Sequence, residues 1–146
     1  MELVITTRGD EAAARRIEDF GRRAEQARPL LSQIADELLD IQRERFSRNH
    51  GMRREARSTL AKDRQQGRDP RPLRATGALM RSVTQRGAPH QKLKIANDYV
   101  VLGTKLYYAQ FHQEGKGVPK RRVINVTPRQ RSQLVQSILD YILDDE

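Results

Sequence analysis

The chain has 146 residues and a formal net charge of +9, from 28 Lys and Arg against 19 Asp and Glu. This length suits one domain with a modest core. The absence of cysteine excludes disulfides, zinc–thiolate sites and cysteine nucleophiles. No segment approaches the ~20 apolar residues that a membrane-spanning helix needs, and the short apolar run at residues 3–5 is no secretory signal, so we expect a soluble protein.

Residues 10–48 are predicted to be a helical region. Apolar residues recur there in steps of three and four, as they do on one face of a helix. They are Ile17, Phe20, Ala24, Ala27, Leu31, Ile34, Leu38 and Ile41. Because proline is tolerated mainly in the first turn of a helix, Pro29 predicts either two helices that meet near Arg28 or one kinked helix.

The next segment, residues 49–72, is predicted to be a long basic loop. It offers few large apolar side chains to offset the entropy of ordering, and a short helix over residues 55–65 is the alternative. Between Arg43 and Arg74 there are eleven basic residues and four acidic ones, whereas the chain ends in the acidic sequence LDDE. This charge predicts either nonspecific contact with DNA phosphates or docking on an acidic neighbour. No aromatic residue lies between Ser47 and Arg74, so stacking on bases is not supported.

Residues 73–146 are predicted to form a sheet and a C-terminal helix. A short helix is expected after Thr76, its candidate N-cap. The stretches QKLKIAND and YVVLGTK predict two strands joined by a turn at Asn97–Asp98, and VINV, at 123–126, predicts a third strand. The last helix is expected to begin with a threonine cap followed by proline. Its predicted apolar face consists of Leu134, Ile138, Tyr141 and Ile142.

The fold class predicted from this order is α+β. We expect a single domain over residues 1–146, in which a small antiparallel sheet is packed by a long N-terminal helix and a C-terminal helix.

No pattern in the sequence indicates catalysis, a metal site or a cofactor. The three histidines, His50, His90 and His112, are isolated, and HExxH and HxH patterns are absent. GKGVPK lacks the spacing of a phosphate-binding loop, so Gly115 and Gly117 are expected to end a short element and turn the chain. Because Glu114 and two tyrosines are near it, His112 could serve as a general base, but a structural histidine is the favoured interpretation.

The order of four stretches in the C-terminal half resembles the phage virion morphogenesis family of tail completion proteins. These stretches are LRATGALMRSV, VVLGTKLYYAQFHQEG, KRRVINVTP and the terminal helix. The positions that carry the resemblance are Leu73, Thr76, Gly77, Leu79, Ser82, Leu102, Gly103, Thr104, Tyr108, Ala109, His112, Gln113, Gly115, Pro119 and Arg121. The family commonly has an aromatic residue where this chain has Glu114 and a Pro-Phe pair where it has Arg122-Val123, so contacts in that loop are expected to differ.

The resemblance implies a non-enzymatic structural protein of the neck or tail end, either a tail completion or terminator protein or a head-tail connector. Such a protein assembles in the host cytoplasm as a homo-oligomeric ring, expected to be a hexamer, and joins the tail to the head within the virion. Its partners would be tail-tube and head-neck proteins, with nonspecific contact to passing DNA. The alternative is a small basic DNA-binding protein that uses residues 43–74.

The resemblance and the charge pattern together nominate two sets of residues. Phe111 and Tyr108 are expected to pack on the sheet, and His112 and Gln113 to form fixed hydrogen bonds. Arg121 and Arg122 are expected to serve assembly rather than folding. The candidate interface or lumen residues are Arg53, Arg54, Arg57, Lys116, Lys120, Arg121 and Arg122, and the structural motif consists of Thr76, Gly77, Gly103, Tyr108, Phe111, His112, Gln113 and Gly115.

Overall fold

A computed structural model describes residues 10–48, 57–69, 71–74 and 76–143. In these ranges six helices accompany one antiparallel pair of strands, which confirms the α+β class. The helices are α1 (Asp10–Glu25), α2 (Arg28–Arg48), α3 (Arg57–Gln65), α4 (Ala78–Thr84), α5 (Ala109–Glu114) and α6 (Pro128–Leu143), and the strands are β1 (Gln91–Ile95) and β2 (Val100–Thr104).

The N-terminal region forms two helices, as one of the two alternatives predicted. The break falls at residues 26–27, and Pro29 is the second residue of α2, where its missing N–H costs no intrahelical hydrogen bond. The fully buried positions of the second half of α2 include Leu39, Gln42 and Phe46, whereas Leu38 is only half-buried. The face that α2 turns to the core is therefore rotated from the predicted one and includes a glutamine.

The basic segment contains a helix where a loop was predicted. Helix α3 covers Arg57–Gln65, close to the alternative given for residues 55–65, so the loop prediction is wrong over these residues. Local hydrogen bonds end this helix. The Gly67 N–H donates to the Arg64 carbonyl at 3.2 Å, and the Arg68 N–H donates to the Asp63 carbonyl at 2.7 Å. Local hydrogen bonds thus compensate here for the scarcity of apolar side chains.

The predicted hairpin is confirmed. Strands β1 and β2 pair from Gln91↔Thr104 to Ile95↔Val100. The Ala96 N–H donates to the Tyr99 carbonyl at 2.9 Å, which closes the turn over Asn97–Asp98. One face of the hairpin packs against α2 and α4, and the other is exposed.

The core lies where α2, α4 and the hairpin meet. Its buried cluster consists of Phe46, Leu79, Val83, Ala109 and Val123. Gly77, with a φ of 77°, is the N-cap residue of α4. Thr76, the predicted cap, lies one residue earlier. The prediction of the cap is therefore wrong by one residue, because the chain enters the helix through a left-handed conformation that suits glycine.

The C-terminal helix is confirmed, with its predicted cap. The Gln130 N–H donates to the Thr127 hydroxyl at 3.3 Å, and the Thr127 N–H donates to the Gln130 side chain at 2.9 Å, which is a capping box. Helix α6 packs on α1 and α2. The residues predicted to form its apolar face, such as Leu134 and Ile138, are half-buried, and no residue of α6 is fully buried in the described subunit.

Phe46 and Phe111 allow a direct test of where the core lies. Phe46 is 1% exposed, and Phe111, expected to be buried, is 38% exposed. We predict that Phe46→Ala lowers the free energy of unfolding by about 3–5 kcal/mol, as for a buried aromatic truncation. For the matched control Phe111→Ala the expected loss is below about 1 kcal/mol, as for a surface change. Urea denaturation of both variants measures the difference; equal losses would contradict this position of the core.

Candidate functional site

The stretch YYAQFHQEGKG folds as the short helix α5 and a turn that ends it. Gly115, with a φ of 76°, lies at the C-terminus of α5, and its N–H donates to the Phe111 carbonyl at 2.8 Å. A Cβ atom at this position would lie 2.9 Å from the Cβ of Lys120 and 3.3 Å from its Cα. Glycine is therefore required both by conformation and by close approach of the chain. The predicted role of Gly115 in ending a short element is confirmed.

After this turn the chain runs back beside α5 as residues 121–125, which we call the returning segment. It starts with a hydrogen bond from the Arg121 N–H to the His112 carbonyl at 2.9 Å. The side-chain amide of Gln113 then binds the backbone of two residues. Its Oε1 accepts from the Val123 N–H at 2.7 Å and from the Ile124 N–H at 3.1 Å, and its Nε2 donates to the Ile124 carbonyl at 3.0 Å.

A second glutamine, on a different helix, binds the end of the returning segment. Gln42, on α2, is fully buried. Its Oε1 accepts from the Asn125 N–H at 3.1 Å, and its Nε2 donates to the Asn125 carbonyl at 3.0 Å. One side chain thus makes the two hydrogen bonds with Asn125 that the backbone of a neighbouring strand would make. The prediction that Gln113 makes fixed hydrogen bonds is confirmed, and Gln42 joins it in the same role.

The prediction of a third strand at 123–126 is wrong for this reason. The backbone groups that would pair with a neighbouring strand already have partners in Gln42 and Gln113, and the Val123 carbonyl accepts from the Arg45 guanidinium at 2.9 Å. Buried backbone groups need partners of some kind, and here side chains provide them. Residues 123–126 are consequently irregular, although their sequence is rich in β-branched residues.

Arg45 is a buried cation beside the returning segment. Only 8% of the residue is exposed, and its guanidinium lies over the Phe46 ring, 6.0 Å from the centroid. Burial lowers the pKa of Arg45, and the positive charge of Arg122 lowers this pKa further. Arginine nevertheless stays charged at physiological pH. The carbonyl and ring contacts therefore stabilise a charge that is largely shielded from bulk water.

The acidic residue near His112 in the sequence is paired with another side chain. Glu114, the candidate partner of His112, forms an ion pair with Lys116 at 2.7 Å, and this hydrogen bond raises the pKa of Lys116. No cluster of three metal-ligating side chains occurs in the part of the chain that the structure describes. A groove of about 500 Å³ lies beside α5, lined by residues such as Thr104, Leu106 and Ile124. Its lining contains no ionisable group besides Lys105 and Tyr107.

The seven candidate interface residues divide into three groups. Arg53 and Arg54 lie outside the described residues. The side chains of Arg57, Lys116, Lys120 and Arg122 are exposed, and Arg122 donates to the Asn125 side chain at 3.1 Å. Arg121, however, is only 4% exposed. The side chain of Arg121 is therefore buried within the subunit, and its role in assembly stays a prediction.

The remaining motif residues keep the backbone or the core in place. The Thr76 hydroxyl accepts from the Ala78 N–H at 3.4 Å. Tyr108 is half-buried against the core cluster and meets the Tyr107 ring edge-to-face at 5.7 Å. Phe111 does not pack as expected, because it lies on the outward side of α5 and is exposed. Gly103 lies on the exposed face of the hairpin, opposite Lys92.

Sequence reasoning missed Gln42 and Arg45. A signal exists for Gln42, because positions 31, 35, 39, 42 and 46 follow helical spacing and position 42 is the polar one among them. A glutamine at a core position predicts a buried hydrogen-bond partner, but the partner lies 83 residues further along the chain and cannot be identified from spacing.

The comparisons with known proteins agree with the resemblance. Residues 9–144 match the phage virion morphogenesis family. This span covers nearly the whole chain, so the protein belongs to that family. Membership supports a structural or morphogenetic role in phage virions and implies a virion component. Neither the curated proteins nor the solved structures gave a match.

No helix in the described ranges is long and apolar enough to span a membrane.

The side chain of Gln113 can be tested by an isosteric change. In Gln113→Glu the ionised carboxylate can still accept the two N–H groups but cannot donate to the Ile124 carbonyl. We predict a loss of about 1–3 kcal/mol in the free energy of unfolding at pH 7. The pKa of the introduced carboxyl is expected to be raised in the folded state, so the deficit relative to the native chain should shrink as pH falls through it.

Urea denaturation at pH 7 and at about pH 4 measures this deficit. Gln110→Glu is the matched control, since residue 110 is exposed on the same helix and should lose little at either pH. A deficit in Gln113→Glu that equals the control, or that grows on acidification, would show that the Gln113 amide does not hold the segment.

Proposed function

We propose that this protein is a non-enzymatic structural component of the phage neck or tail end that assembles as a homo-oligomeric ring and joins the tail to the head. A tail completion or terminator protein and a head-tail connector both fit this role. The family match supports the setting, and two helices with uncovered apolar faces support the assembly. The second observation carries the proposal, since it shows a subunit with apolar surface left to bury.

Helix α6 carries the first uncovered face. Val135, Leu139 and Leu143 recur at intervals of four and are 47%, 43% and 60% exposed. A helix of a globular subunit normally buries such a row, because each large aliphatic side chain gains about 1.5–3 kcal/mol on burial. These three side chains have no cover in the described subunit.

Helix α1 carries the second uncovered face, next to the first. Ile17 is 71% exposed and Phe20 is 46% exposed. Both line a groove of about 540 Å³ whose opposite side is formed by Ile142 and Leu143. Leu143 thus belongs to both features. We call the joined area, formed by Ile17, Phe20, Val135, Leu139 and Leu143, the helical surface.

A contiguous apolar patch of this kind marks an interaction site in soluble proteins. In a ring each subunit uses two different surfaces, one for each neighbour, and a hexamer is the ring that we propose. The basic segment and the acidic sequence LDDE are of opposite charge and could meet between neighbours. The assembled ring would form in the host cytoplasm and contact tail-tube and head-neck proteins in the virion.

Light scattering on a sizing column tests the assembly over a series of protein concentrations. The native chain is expected to elute as a discrete species of several times the 16.8 kDa subunit mass. We predict that Leu139→Glu shifts this species to the monomer, because it places a charge in the centre of the helical surface. The control Gln133→Glu adds the same charge at an exposed polar position of α6 and should leave assembly unchanged.

The circular dichroism spectra of both variants should match that of the native chain. An unchanged mass for Leu139→Glu would show that the helical surface is not the contact. The joining role is tested separately by electron microscopy of particles made without this protein. Unjoined heads and tails are expected, and a normal yield of complete virions would contradict the role.

A further inference from the structure

The exposed face of the hairpin is a row of lysines. The pairing of Lys92 with Gly103 and of Lys94 with Val101 puts these four residues on the face that points away from α2 and α4. The alternating pattern of burial confirms this, since Lys92 and Lys94 are exposed and the residues between them are half-buried. Lys105 follows β2 by one residue, is exposed, and lies on the same side by the alternation of the strand.

This face is sterically open between its positive charges. Successive residues on one side of a strand are about 6.6–6.8 Å apart, and neighbouring strands lie about 4.8 Å apart. Gly103 lies between Lys92 and Lys105 and has no side chain. The three atoms nearest to a Cβ placed there all belong to Lys92 and lie at 3.7 Å or more, so a side chain fits there without displacing a neighbour.

The charge of this face is not compensated by nearby carboxylates. None of Lys92, Lys94 and Lys105 forms an ion pair with a carboxylate in the described ranges. Lys94 instead has its ammonium 5.3 Å from the ring centroid of Tyr99, which is itself 41% exposed. Arginines elsewhere differ, because several of them pair with carboxylates of the same chain. They are Arg15, Arg22, Arg43, Arg48, Arg71 and Arg86.

We propose that this lysine face, formed by Lys92, Lys94, Tyr99, Val101, Gly103 and Lys105, contacts the phosphate backbone of duplex DNA without regard to base sequence. Lysine ammonium groups act as point charges on phosphates. The face lacks the arginine, asparagine and glutamine side chains that read base edges through paired hydrogen bonds. Backbone contact alone is therefore what its chemistry supports.

The family membership decides which polyanion is named, because the abundant polyanion in a phage virion is its packaged genome. In this proposal the DNA contact lies on the hairpin and not in residues 43–74. Within the described part of that segment, Arg43, Arg48 and Arg71 are paired with Asp40, Glu44 and Asp69. Arg57, Lys62 and Arg64 of α3 are exposed, and they are the charge-matched alternative to the hairpin lysines. The proposed DNA contact rests on membership of the family and not on the ring, since a monomer would display the same face.

The test is fluorescence anisotropy of a labelled duplex of about 30 base pairs, titrated with the full-length protein at several salt concentrations. Each phosphate neutralised contributes about 0.9 to the slope of log affinity against log salt concentration. We predict that replacing Lys92, Lys94 and Lys105 together by glutamine makes this negative slope shallower by about 2.7. The charge-matched control replaces Arg57, Lys62 and Arg64 of α3 by glutamine and should leave the slope unchanged.

A second pair of variants tests the face without removing a lysine. Gly103→Glu places a carboxylate between the lysines, and Gly103→Gln places a neutral side chain of the same shape there. We expect Gly103→Glu to weaken duplex binding about tenfold at low salt and Gly103→Gln to retain it. Equal binding by these two variants would overturn the proposal.

Two other results would also overturn it. A slope that becomes shallower in the α3 control but not in the hairpin variant would assign the contact to the basic segment. Displacement of the duplex by poly-glutamate of equal charge, with the same dependence on the hairpin lysines, would assign the face to an acidic protein. The mass of the hairpin variant, measured by light scattering, should equal that of the native chain, so that a loss of DNA binding is distinguished from a failure of ring assembly.

Discussion

The fold of this protein depends on two glutamine side chains that serve as partners for backbone. Gln42 on α2 and Gln113 on α5 bind the N–H groups of residues 123–125 and the carbonyls of Ile124 and Asn125. Because Val123 belongs to the core cluster, this arrangement fixes the depth at which the segment enters the core. It also fixes the start of α6, which follows only three residues after Asn125. The helix and its exposed apolar row are thus oriented by polar contacts.

Patterns that depend on near neighbours in the chain were predictable. The hairpin with its turn at Asn97–Asp98, the break before Pro29 and the capping box of α6 all follow from short-range rules. The extent of the family was only partly visible, since the quoted motifs lie between residues 73 and 143 whereas the match extends from 9 to 144.

Features that depend on distant parts of the chain were not predictable. Residues 123–126 have the composition of a strand, and only the position of Gln42 and Gln113 shows that side chains occupy the place of a neighbouring strand. Phe111 lies inside the best-matching stretch, yet its helix turns it outward. Arg121 was nominated by its charge, and its burial results from the close return of the chain beside α5. Residue type therefore identified structurally important positions, but it did not show whether a side chain faces the core or the solvent.

No residue of α6 is fully buried in the described subunit, and this bears on the order in which the helices fold. A helix of this length is marginal in isolation and draws its stability from the surfaces that cover it. In a lone subunit, α6 should therefore open by local unfolding far more often than α2, whose residues lie in the core, and its amide hydrogens should exchange with solvent sooner. A neighbour that covers the helix would slow this exchange. In the proposed ring, α6 would therefore complete its folding only when a neighbouring subunit covers it, and hydrogen exchange would distinguish free subunits from assembled ones.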